Sequence, residues 1–138
     1  MNFGDEFYKL NQELQGLAVD VIDEVLKSQS NKVYNVLLKT TPRNHGGLVN
    51  SLKLSKLDKR DSIGYKLEYY GYDEKARPYA VIANSLNRGY LSPKDTLVHG
   101  TYFIDKAVST LKGTDNLINK KWEEEVNKIS TRGVNNGN

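Results

Sequence analysis

Apolar residues recur at steps of three or four along the start of this chain: Phe3, Phe7, Leu10, Leu14, Leu17, Val21 and Val25. That spacing puts them on one side of a helix, and Ile22 and Leu26 widen the stripe. Ser28-Gln29-Ser30-Asn31 weakens the helix, because short polar side chains compete for backbone hydrogen bonds. Val33, Tyr34, Leu37 and Leu38 then resume a helical spacing. Pro42 biases Thr41 away from helical geometry, so the helix is expected to stop near Lys39 or Thr40. A helix this long with one apolar face requires the rest of the chain to cover it.

The remainder reads as short elements. Arg43-Asn44-His45-Gly46-Gly47 is a turn in which paired glycines open backbone angles closed to other residues. Residues 51–59 are expected as a strand and residues 63–72 as its hairpin partner. In the second, Ile63, Tyr65, Leu67 and Tyr69 alternate with Gly64, Lys66, Glu68 and Tyr70. Pro78 opens a short helix carrying Tyr79, Ala80, Ile82, Ala83 and Leu86. The stretch 87–100, punctuated by Gly89, Pro93 and Gly100, is expected as a long loop. Thr101–Leu111 and Thr114–Ile129 show helical spacing, with Gly113 between them. The fold class is therefore α+β. A long N-terminal helix and C-terminal helices pack on a small antiparallel β-sheet in one domain over residues 1–130, followed by a flexible tail, 131–138. The length of 138 residues suits one domain with its own core.

Several function classes find no support. There are no cysteines, hence no disulfide framework, thiol nucleophile or thiolate metal site. No apolar run approaches the ~20 residues needed to span a bilayer. The start of the chain, Met1 to Glu6, lacks the basic and apolar regions of a signal peptide. His45 and His99 are expected as loop residues, with no nucleophile elbow and no ligand spacing around them. Glu123-Glu124-Glu125 diverge around a helix and form a solvated face. Gly46-Gly47 lacks the lysine and serine or threonine of a phosphate-binding loop. No enzyme activity, cofactor, metal or small-molecule substrate is expected.

Charge is unevenly placed. Residues 1–31 carry six acids against Lys9 and Lys27, and residues 32–60 carry seven bases against Asp58. Two such faces can meet between neighbouring copies. Asp20, Asp23 and Glu24 on one side, and Lys53, Lys56 and Lys59 on the other, are the candidate subunit-interface residues. Tyr65, Tyr69, Tyr70, Tyr72 and Tyr79 lie beside that basic stretch. They fit a core plus a subunit interface, and alternatively a stacking platform for nucleic acid built on the Tyr/Lys-rich hairpin.

The order of these pieces resembles a family. A long helix ends at Thr41-Pro42, and Gly47-Leu48 and Ser51-Leu52 follow. A hairpin comes next, then a helix with Tyr79-Ala80, a loop, and a helix with Phe103 and Ala107. This arrangement resembles the tail-component family of tailed bacteriophages and prophages, whose members act as tail-completion or head–tail joining proteins. Asn84-Ser85 stands where that family has a Glu and a Gly-Thr, and Gly100-Thr101-Tyr102 where it has a proline. The resemblance implies a virion structural protein at the head–tail junction, assembled in the host cytoplasm. It would form a homo-oligomeric ring of six copies, or alternatively twelve, between capsid connector and tail tube or tail terminator, enclosing or lying near double-stranded DNA. Pro42, Gly47, Leu48, Leu52, Tyr79, Ala80, Phe103 and Ala107 would then be fold determinants. Arg88, Tyr90 and Lys94, in the stretch 87–100, would form the docking loop.

Overall fold

One helix, α1 (Phe3–Thr40), runs through 38 residues without a break in the computed structural model, which describes residues 3–43, 47–57 and 63–136. At 1.5 Å per residue it is about 57 Å long. The expected weakening at Ser28–Asn31 does not interrupt it. Gln29 occupies the stripe position between the buried Val25 and Val33 and is itself buried. Its Nε2 donates to the Thr114 hydroxyl at 3.2 Å. Packing on both sides thus outweighs the local preference of the polar run.

A tight turn (Val49–Ser51) leads into β1 (Leu52–Lys56), which pairs antiparallel with β2 (Tyr65–Tyr69) from Leu52 opposite Tyr69 to Lys56 opposite Tyr65. Both strands are shorter than the spans 51–59 and 63–72. The intervening 58–62, which includes Lys59, and the turn residue His45 lie outside the described residues. Then come α2 (Tyr79–Arg88), β3 (Gly89–Leu91), β4 (Leu97–His99), α3 (Phe103–Val108), a tight turn (Ser109–Leu111) and α4 (Thr114–Asn136). This is an α+β fold with two antiparallel strand pairs.

The stretch 87–100 is not a loop. Asn87 and Arg88 finish α2, and β3 and β4 form a second hairpin with Tyr90 opposite Val98. A turn closes it, in which the Asp95 N–H donates to the Ser92 carbonyl and the Ser92 N–H to the Thr96 carbonyl. Gly100 is required there by space, because a Cβ on it would meet the backbone of Arg88 and Gly89 at 2.5 and 2.7 Å. Strands of three residues are too short for alternation to announce them. At the other end, the helical backbone of α4 continues to Asn136, past residue 131 where the flexible tail was expected to begin.

The core gathers at the C-terminal half of α1. Val33 and Leu37 pack with Leu48, Leu52, Tyr69, Ala83, Phe103 and Ala107. Tyr69 and Phe103 meet edge to face with ring centres 6.4 Å apart. The buried Thr41 hydroxyl donates to the Leu37 carbonyl at 2.6 Å and shares a 2.7 Å hydrogen bond with the Tyr69 hydroxyl. Burial raises the Tyr69 phenol above its ordinary pKa. Leu48, Leu52, Phe103 and Ala107 are core residues, Tyr79 is half-buried against them, and Pro42 is half-buried just beyond α1. Gly47 adopts a φ of +88° beside the Tyr79 hydroxyl. Ala80 differs from expectation: it is exposed. It stands three residues before Ala83 and seven before Asn87, hence on the same side of α2 as both, but in the helix's first turn, where it faces an open surface beside Tyr70 and Tyr72 and not the core.

Candidate functional site

Helix α1 outruns the core that covers it. Its stripe is buried at Leu37, Val33, Val25 and Val21, half-buried at Leu17 and Leu14, and 45% exposed at Leu10. Gln29 faces Thr114, and Glu24 lies 3.7 Å from Lys121, so α4 runs antiparallel beside the middle of α1. Glu6, Glu13 and Asp20, all exposed, recur every seven residues. A seven-residue step returns to nearly the same side of a helix, so they form one row of carboxylates along the uncovered stripe.

A second apolar surface lies on the far side of the core. Pro78, Val81, Ile82, Leu86 and Tyr90 line an open groove of about 300 Å³ between α2 and the β3–β4 hairpin, with Arg77 at one end. Val81 is 60% exposed, and Leu91 and Leu97 on the adjoining hairpin are 66% and 59% exposed. Between Arg77 and Lys94 the chain carries Arg77, Arg88 and Lys94 and no acid. Arg77 pairs with Asp73 at 2.7 Å; no ion pair joins Arg88 or Lys94 to an acid among the described residues.

The charges expected to meet between copies are partly matched within the chain. Lys56 lies 3.4 Å from the Asp23 carboxylate, which also accepts a 2.8 Å hydrogen bond from the Tyr65 hydroxyl. The Tyr65 hydrogen bond, and after it Lys56, hold the Asp23 carboxyl below its ordinary pKa. Partial burial, and then Asp23, push the Tyr65 phenol up. Glu24, and then Glu125, raise Lys121. Asp20 and Lys53 remain exposed. Lys53 sits 5.0 Å from the centre of the Tyr70 ring. On this hairpin Tyr69 turns into the core, while Tyr70 and Tyr72 stay exposed on the other side. Of the docking residues, Tyr90 lines the groove, Arg88 ends α2 beside it, and Lys94 lies in the β3–β4 turn.

Asn87 was placed by sequence at the start of a loop, and the structure gives it a different part. It is buried, and its Oδ1 accepts the Ile104 N–H at 2.9 Å while its Nδ2 donates to the Asp105 carboxylate at 3.1 Å. Its backbone carbonyl accepts from Tyr102. The N-cap of α3 is Tyr102, which offers no side-chain cap, so Asn87 caps that helix from another element. Nothing local in sequence announces such a long-range cap.

Among the described residues no three histidines or carboxylates come together to hold a metal ion, and no helix is long and apolar enough to cross a membrane. Comparison of the chain with protein-family models, with curated proteins and with solved structures finds no match.

Proposed function

We propose that this chain is a non-enzymatic structural subunit that joins copies of itself into a closed ring, and that the ring serves at the head–tail neck of a tailed phage or prophage particle. The observation that carries the reading is the apolar stripe of α1, which emerges from its own core at Leu10 and is left without cover. A uniformly solvated helix end needs no such residues, whereas an assembling subunit does. The apolar groove on a different surface of the same chain supplies the second half of a heterologous contact, the type that closes rings. The order of long helix, proline, hairpin, tyrosine–alanine helix and phenylalanine helix supports the reading through its resemblance to the tail-completion and head–tail joining proteins, with the β3–β4 hairpin standing where the resemblance implies a loop.

In this reading the ring, of six copies or alternatively twelve, sits between capsid connector and tail tube or terminator in the virion, around or near double-stranded DNA. A second reading, a nucleic-acid-binding module, draws on exposed Tyr70 and Tyr72 beside Lys53. Immunogold electron microscopy of purified particles, with virus-free lysate as control, separates the two. Gold at the head–tail junction is the expected result. Unlabelled intact particles, with the chain left soluble and binding DNA in a salt-sensitive way, would sink the neck reading.

A further inference from the structure

We infer that the uncovered stripe of α1 in one copy seats in the α2/β3–β4 groove of the next, with Leu10, Leu14 and Leu17 as anchors against Val81, Ile82 and Tyr90. The inference deepens the ring reading above and rests on it.

Three observations converge. Leu10, Leu14 and Leu17 fall at i, i+4 and i+7, the spacing with which an amphipathic helix enters an apolar groove. Their burial fades toward the start of the chain, from half-buried at Leu17 and Leu14 to 45% exposed at Leu10, so part of the apolar surface is left open. The flanking charges are opposite in sign. From Gly4 to Asp20 the chain carries Asp5, Glu6, Glu13 and Asp20 against Lys9 alone, whereas beside the groove Arg88 has no ion pair among the described residues, Arg77 being matched by Asp73 and Lys94 standing next to Asp95. Arg88 lies seven residues after Val81, hence on the same side of α2, where it can face the carboxylate row of an incoming helix.

The two surfaces are out of each other's reach within one copy. Helix α2 packs at the level of Val33 and Leu37 through Ala83. Leu10 precedes Val33 by 23 residues of unbroken helix, about 35 Å. Pairing therefore takes a second copy, and because the surfaces differ, each copy keeps one of each kind free for the next. An isologous pairing of two α1 stripes would instead bring Glu6, Glu13 and Asp20 alongside their own counterparts, like charge against like.

Leu10→Asp and Val81→Asp test this. Both positions are substantially exposed, so circular dichroism and thermal melts should match wild type. In sedimentation velocity, wild type should self-associate, and each variant alone should lose association by at least about thirtyfold in Kd. The decisive sample is the equimolar mixture. The intact groove of L10D accepts the intact helix of V81D, so the mixture should give a dimer that grows no further. The chain has no cysteine, so E13C mixed with R88C should form one intermolecular disulfide under mild oxidation. That second measurement holds even if an aspartate variant misfolds. Wild type that stays monomeric into the high micromolar range overturns the inference, as does V81D that associates like wild type or E13C with R88C that fails to cross-link. Wild-type association that neither aspartate variant affects removes this contact and leaves the ring standing; the neck assignment stands or falls separately, by gold labelling.

Discussion

Asn87 ties α2 to α3 with one side chain. Replacing it by alanine leaves the Ile104 N–H without its acceptor near the start of a six-residue helix and removes the bond to Asp105. The loss of a cap to alanine, together with a part-buried donor left unpaired, amounts to about 2 kcal/mol. N87A should therefore melt roughly 6–8 °C below wild type. Asn87→Asp should not fully rescue it, because the new carboxylate would face Asp105. A variant as stable as wild type in urea and thermal melts would show that the cap contributes nothing. This residue also marks a limit of sequence reading: its cap reaches Ile104, 17 residues on. By contrast Pro42, Gly47 and Leu48 act locally or through plain hydrophobicity, so their parts were legible.

At the scale of elements, α1 is held to the first hairpin through Asp23, Tyr65 and Lys56. Because the folded-state pKa of Asp23 is depressed, its contribution is fully present above the ordinary carboxylate pKa. It fades as pH falls through the folded value, where folded and unfolded states bind the proton alike. Tyr65, with a raised pKa, works the other way: its contribution is present below the ordinary phenol pKa and lost as pH climbs through the raised value. Urea midpoints of wild type and Asp23→Asn should therefore lie furthest apart near neutrality and converge below about pH 4. A gap that is constant with pH would mean that the Asp23 charge does not tie helix to hairpin. Elements with long periodic runs or clear alternation were readable: α1, the first hairpin, α2 and α4. The second hairpin was not, because its three-residue strands carry no period. Nor was the continuity of α1 through Ser28–Asn31, which depends on Gln29 reaching Thr114 across the fold.

For the whole molecule, the α+β class and the placing of a long helix at the start followed from the stripe and Pro42. Lys56 and Asp23, two of the charges expected to meet between copies, meet within one chain, and the groove that carries the present proposal is completed by Tyr90 from the expected loop 87–100. Its apolar lining comes from α2 together with Tyr90, residues brought together only by the turn of the chain at Gly89.

The off-centre position of the core on α1 has a kinetic consequence. A helix clamped at one end frays from the other, so its backbone amides should trade protons for deuterons in a graded series. Those of Val33 to Thr41 should wait for global unfolding, while those before Leu10 should label in the first time points. Hydrogen–deuterium exchange followed by mass spectrometry would read that gradient peptide by peptide. Uniform protection along α1 in dilute monomer would contradict it. Slowing confined to the first turns as concentration rises would report the arrival of a neighbour at the free end.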